Sequence, residues 1–154
     1  MRNSRNCVSL CDNLNHTSNV KGGRYGRRNS ARCGSSRGLS QGLRFGPAFP
    51  GESYLALLDA LRDDSGIQTI VCRHEGGAGM MAVADAKLTG RPGLLAVSRG
   101  PGATNASIAL HLAEQDAVPL IVLIGQVARH ERGRGAFQEV DYGQMFGGIA
   151  KGVW

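Results

Sequence analysis

Two short stretches set chemistry-bearing side chains next to bare backbone. Arg73-His74-Glu75-Gly76-Gly77 places a carboxylate beside two glycines, and Gly100-Pro101-Gly102-Ala103-Thr104-Asn105 runs small residues through a turn that ends on an amide. Glu75 could hold or pass a proton. Equally, it could be a first-turn charge matched to a helix dipole, worth about 0.3–1 kcal/mol. Gly76 and Gly77 weaken a helix but let a flat ligand come close to the backbone. The glycine turn lacks the Gly-Lys-Ser/Thr ending of a phosphate loop and the spacing of a dinucleotide fingerprint. Taken alone it suits a plain helix entrance. His74 reads as a structural hydrogen-bonder. Arg129, Arg132 and Arg134 read as a solvated loop, although an arginine there could meet a carboxylate. His111 receives no role.

These residues need elements to position them. Ser53 can cap a helix with Leu55, Leu58 and Leu61 on one side, stopped by Ser65-Gly66. Ile67 to Cys72 is β-branched and mostly apolar, as in a strand buried on both faces. Residues 76–89 carry a helical pattern ending at Gly90-Arg91-Pro92. Gly93 to Val97 form a second strand, a helix is predicted near 103–116, and Pro119 to Gly125 form a third strand. A further helix is expected around 137–146.

Strands alternating with helices predict an α/β fold, a parallel sheet with helices on both faces. Ligands then sit beyond the carboxyl ends of the strands. The loops opening at Arg73, Ser98 and Gln126 all fall at that edge, and their convergence is the functional signal.

The 154 residues carry a formal charge of +6, and that excess is unevenly placed. Residues 1–46 hold nine Lys or Arg and one acid, Asp12, whereas residues 47–154 hold nine against eleven acids. The first segment is rich in Arg, Gly and Ser, with too little apolar surface to offset the entropy of ordering it. Disorder is therefore expected there. Tyr25 among Arg24, Arg27 and Arg28 could stack on bases and meet phosphates, but one aromatic is thin support and nucleic acid is not expected as a partner. An Arg- and Ser-rich transit peptide is conceivable, whereas a secretory signal is excluded for want of an apolar core.

Cys7, Cys11, Cys33 and His16 lack the paired spacing of a structural zinc site, so no metal ligand is assigned. Cys72 reads as a small buried hydrophobe. Nothing suggests a disulfide framework, and a reducing, cytoplasmic setting is expected. No apolar run approaches the roughly 20 residues that span a bilayer.

Taken together, Arg73-His74-Glu75, Ser98 to Asn105, Asp116-Ala117-Val118-Pro119, Gly125-Gln126-Val127 and Ala136-Phe137-Gln138-Glu139 are far more specific than any one of them. Over about residues 49–154 the set closely resembles the N-terminal, pyrimidine-binding (PYR) domain of thiamine-diphosphate enzymes of the acetolactate synthase type. Glyoxylate carboligases and several 2-oxo acid decarboxylases share these blocks. The resemblance implies that Glu75 hydrogen-bonds N1′ of the cofactor's aminopyrimidine. It also implies that Glu75 promotes the C2 ylid that attacks a 2-oxo acid, for decarboxylation and carboligation. Such a role needs a carboxyl group able to hold or share a proton, which a dry apolar pocket favours. Gly100, Pro101, Gly102 and Asn105 would line the pyrimidine wall. Phe137 and Gln138 match substrate-channel residues, against plainer readings as a core aromatic and a helix-starting polar residue.

Departures from the pattern accompany the match. Ser98-Arg99 stands for a familiar Thr-Ser, Ala117 for a Ser, and Met80 for a frequent His. The Gly-Asp-Gly and Asn-Asn motifs, which in this family hold the diphosphate and its Mg²⁺ from a C-terminal domain, do not occur after residue 100. This chain alone is accordingly expected to be inactive, a fragment needing a homo-oligomer or a separate diphosphate-domain chain to complete its site. A non-catalytic α/β module or split subunit is the alternative. FAD occurs in parts of the family.

Residues 1–46 stand where the family has its first strand and helix, so that βα unit is expected to be incomplete. Pro47 and Pro50 are unsuited to a central strand. A shifted reading frame would explain the segment, with a genuine tail as the competing reading.

Overall fold

The computed structural model describes residues 51–63 and 67–154, together with the strand backbones at 7–11 and 47–48. The helix stop expected at Ser65-Gly66, the basic cluster around Tyr25 and the side chains considered for zinc lie outside the described residues. The strands are β1 (Cys7–Cys11), β2 (Pro47–Ala48), β3 (Ile70–Val71), β4 (Gly93–Val97), β5 (Leu120–Gly125) and β6 (Gly152–Val153). The helices are α1 (Leu55–Asp63), α2 (Glu75–Thr89), α3 (Pro101–Gln115) and α4 (Tyr142–Phe146). One sheet in the order β3-β2-β4-β5-β1-β6 carries them, with every pair parallel.

The centre of the sheet shows why it is two-sided. β4 and β5 run in register, Gly93 opposite Leu120 through Val97 opposite Ile124. Side chains alternate across a strand, so Leu95, Val97, Leu120, Val122 and Ile124 face one core while Leu94, Ala96, Ile121 and Leu123 face the other. Burying each such Leu, Ile or Val contributes about 1.5–3 kcal/mol before entropy is counted.

α1 closes the second core through Leu57, Leu58 and Leu61, a stripe at helical spacing, with Tyr54 just ahead of it. This corrects the expected stripe by one residue, because Leu55 points to solvent. Ser53 is not a helix cap either. It lies in a 3-10 turn (Glu52–Tyr54) that runs directly into α1.

On the other face α2 and α3 pack closely through alanines. Ala78, Ala82 and Ala86 meet Ala106, Ala109 and Ala113, all buried. A methyl group added at Gly79 would come within 2.4 Å of the Ala109 Cβ. Small residues here set the spacing of the two helices and therefore of their N-termini. Gly90, in the left-handed conformation, ends α2 as expected, its N–H donating to Ala86 O at 2.9 Å.

Three expectations are corrected at the margins. The strand predicted over Ile67 to Cys72 shrinks to Ile70–Val71, and Val71 is 64% exposed. Among the described residues β3 is an edge strand that pairs only with the two residues of β2, so it needs no apolar cover on both faces. Cys72 is correspondingly only half-buried. Pro47 does enter a strand, but as its first residue. Only Ala48 of β2 pairs with β4, opposite Ala96, so the missing proline N–H removes no bond to β4.

Within the segment expected to lack regular structure, one stretch of backbone joins the sheet. Cys7–Cys11 lies in parallel register with β5, from Cys7 opposite Ile121 to Cys11 opposite Gly125. Backbone groups along β5 would otherwise form an open edge beside a buried strand, and pairing satisfies them.

Candidate functional site

With all strands parallel, the loops after β3, β4 and β5 emerge at the same sheet edge. His74 ends the first of them in extended backbone and caps α2, its ring Nδ1 accepting from Gly76 N at 3.0 Å. Its structural reading holds. The cap fixes Glu75 as the first residue of α2, where the helix dipole favours negative charge. The dipole alone would account for a solvent-facing carboxylate, but Glu75 is only 6% exposed.

A second helix supplies its partner. Asn105, one turn into α3, donates through Nδ2 to Glu75 Oε2 at 3.0 Å. An ionised carboxylate only accepts, so the amide must present its NH₂ group. The other oxygen, Oε1, faces bare backbone: a Cβ on Gly102 would lie 3.4 Å from it and 2.6 Å from Ser98 Oγ. Around Gly77 no atom would fall within 4 Å of an added Cβ. A buried acceptor, an amide fixing its rotamer and a strip of backbone without side chains suit one edge of a flat heteroaromatic ring. Tyr54 is buried nearby; burial first, and the Glu75 charge second, push its phenol far above the ordinary tyrosine range.

Gly100 precedes Pro101 at the start of α3 with φ +56° and ψ −107°, a conformation that disfavours any side chain. Its N–H donates to the Tyr142 hydroxyl at 2.8 Å, and an added Cβ would strike Gln138 O at 2.7 Å. Tyr142 is buried and stacks on Phe146 with ring centroids 6.1 Å apart. Burial raises its phenol pKa, opposed by the Gly100 N–H.

Gln138 thus lies against the turn that carries Gly100 and Gly102. It does not start a helix, as one sequence reading had it. Its φ is +61°, and α4 begins only at Tyr142, capped by the Asp141 carboxylate accepting from Gln144 N at 3.0 Å. Nor is Phe137 a core residue, being 73% exposed. Arg129, Arg132 and Arg134 are exposed on their loop.

Sequence reasoning passed over two contributors, Tyr142 and Arg99. Only a departure from the family pattern at Arg99 signalled either. Ser53 was noticed for the wrong reason: its hydroxyl accepts from Arg99 N at 3.2 Å and so ties the turn before α1 to the end of β4. Among the described residues no three His, Cys, Asp or Glu side chains gather as a metal site, and no helix is long and apolar enough to cross a membrane.

Comparison with known proteins gives the family. The family of the thiamine pyrophosphate enzyme N-terminal TPP-binding domain matches residues 39–145, a span that holds Glu75, Asn105, the glycine turn and Gln138. The chain belongs to this family.

Among its relatives, the acetolactate synthase large subunit of Buchnera aphidicola subsp. Schizaphis graminum is 41% identical over 103 residues, 67% of this chain and 18% of that protein. The isozyme 1 large subunit of Escherichia coli K12 is 43% identical over 101 residues, 66% and 18% of the two chains. The acetolactate synthase large subunit of Lactococcus lactis subsp. lactis is 46% identical over 93 residues, 60% and 16%. The chain therefore spans under a fifth of the length of these relatives. The pyrimidine-binding-domain fold expected from the sequence is the observed one, a parallel α/β sheet of the thiamine-pyrophosphate enzyme type.

Proposed function

We propose that the chain supplies the pyrimidine side of a thiamine-diphosphate site in an acetolactate synthase-like enzyme acting on 2-oxo acids. The observation that carries this reading is Glu75, buried at a helix start, fixed by Asn105 and facing the bare Gly102 backbone. When bound, the cofactor supplies a nucleophilic thiazolium carbon that decarboxylates a 2-oxo acid and passes on the remaining fragment.

Glu75 holds a proton against N1′ of the aminopyrimidine and takes it back during the cycle. Gly100, Pro101, Gly102 and Asn105 form the wall along the ring, where side chains would block approach. Phe137 and Gln138 border the path of the 2-oxo acid. No residue here is assigned to Mg²⁺ or FAD. The residues of this chain supply the pyrimidine half of the site, and a diphosphate-domain partner supplies the other half. In the alternative reading it serves such a partner only as a non-catalytic α/β subunit.

Nuclear magnetic resonance on the chain tests the binding half of the proposal. Thiamine diphosphate should shift the amides of Gly76, Gly102 and Asn105, and Glu75→Gln should weaken binding about tenfold or more, the worth of a hydrogen bond to a charged group. Shifts confined to other regions, or equal affinity in the variant, would sink it. Carbon dioxide release from pyruvate by the chain with cofactor and Mg²⁺ would sink the half-site part.

A further inference from the structure

Arg99 stands immediately before the glycine turn, at a position where the resembled family carries a small hydroxyl residue. Its side chain is 12% exposed and reaches two other segments. Nη2 pairs with Glu52 Oε1 in the turn before α1, and Nε donates to the Phe137 carbonyl at 3.0 Å. The guanidinium carbon lies 6.0 Å from the centroid of the Phe137 ring, within cation–π range. The Arg99 backbone is itself held, its N–H donating to the buried Ser53 hydroxyl. The arginine is thus anchored at both ends before it touches the loop.

What it touches needs holding. Gln138 follows the carbonyl that Arg99 binds and adopts φ +61°, sparsely populated for a residue other than glycine. Such a conformation persists only where its surroundings over-determine it. On one side stands Gly100, whose missing Cβ leaves the space that Gln138 O fills. On the other stands the Arg99 guanidinium.

We infer that Arg99 is a positioning residue that pins the Phe137–Gln138 segment against the Gly100–Gly102 turn and so fixes the wall flanking Glu75. This deepens the proposed function and rests on it only for what that wall encloses. A lysine could keep the ion pair with Glu52 but has no Nε fork to reach the carbonyl at the same time.

Amide hydrogen exchange on the full chain tests the inference. The Glu139 N–H, bonded to Ala136 O at 3.0 Å, reports on the pinned segment, while Leu95 and Val122 in the central strands report on global opening. Arg99→Met should accelerate exchange at Glu139 about tenfold, the effect of losing a charge-assisted hydrogen bond, and leave Leu95 and Val122 unchanged. Arg99→Lys should behave like Arg99→Met at Glu139. In Arg99→Ala, millimolar ethylguanidinium should restore protection where ethylammonium does not.

A wild-type rate at Glu139 in Arg99→Met, equal acceleration at all three amides, or equal rescue by both cations would overturn the inference. Should Arg99→Met fail to fold, Glu52→Gln decides: a smaller local acceleration supports the pin, and an unchanged rate overturns it. The cofactor plays no part in these measurements, so their failure is separate from failure of the cofactor-binding test with Glu75→Gln.

Discussion

Asn105 Nδ2 lies 3.0 Å from Glu75 Oε2, and this bond joins the first turns of two adjacent helices, α2 and α3. It depends on alanine packing further down, which brings the two N-termini together. The carboxylate and its amide are thirty residues apart in the chain, so neither the bond nor its geometry is a local property.

Asn105→Ala should therefore destabilise the fold as well as disturb the site. It removes the donor from a buried carboxylate, and such losses cost about 1.5–3 kcal/mol. Urea denaturation followed by circular dichroism should show that decrease with an unchanged slope. Asn105→Asp should cost more, since a second carboxylate would face Glu75. Wild-type stability in Asn105→Ala would mean that the bond does not form in solution.

His74→Ala should cost about 1 kcal/mol through the lost cap of α2, with a fully folded product. The loss should be local, appearing as faster amide exchange at Gly76 and Gly77. His74→Asn, which restores a capping acceptor, should recover most of the loss. Failure of Asn to recover it would assign the histidine some other role.

Gly79 sets the approach of α2 to α3. Its replacement by alanine would ordinarily favour a helix by about 1 kcal/mol. Here the new methyl would meet the Ala109 Cβ at 2.4 Å with backbone behind it, and overpacking costs about 1–3 kcal/mol. The clash outweighs the propensity. Thermal denaturation of Gly79→Ala should show a lower midpoint, whereas Gly77→Ala, facing open space, should raise it or leave it unchanged.

The loop before α4 should loosen in acid. The Gly133 N–H chiefly, then that of Ala136, holds the Glu139 carboxyl below the usual carboxylate range. A carboxyl with a lowered folded pKa stabilises the fold above its unfolded value, and that contribution fades as pH falls through the folded one. Amide exchange at Gly133 and Ala136, corrected for intrinsic rates, should lose protection as pH drops below the carboxylate range. Glu139→Gln should lack this dependence. The same slope in both proteins would exclude Glu139 as the cause.

Much of the fold is visible in the sequence because its signals are local. PLIVLIG can hardly be other than a buried strand, Gly90-Arg91-Pro92 must break a helix, and strand–helix alternation implies parallel pairing. Glu75 and the glycine turn stand out for the same reason, as residue types at the ends of recognisable elements.

The tertiary structure decided what depends on partners distant in sequence. Ile70-Val71 is exposed because β3 lies at the sheet edge, which no hydropathy pattern reports. Cys7–Cys11 is a strand because β5 offers it a parallel edge, although its own surroundings lack pattern. Gln138 left its expected helix because the space over Gly100 receives its backbone and Arg99 binds the preceding carbonyl.

The sequence by itself determined which groups are present and at which edge of the sheet they emerge, since periodicity and chain order are one-dimensional. Which of them touch was set by the packing of α2 on α3 and of the β5–α4 loop on the β4–α3 turn. Those contacts depend on side-chain volumes meeting across tens of residues, and only the folded chain brings them together.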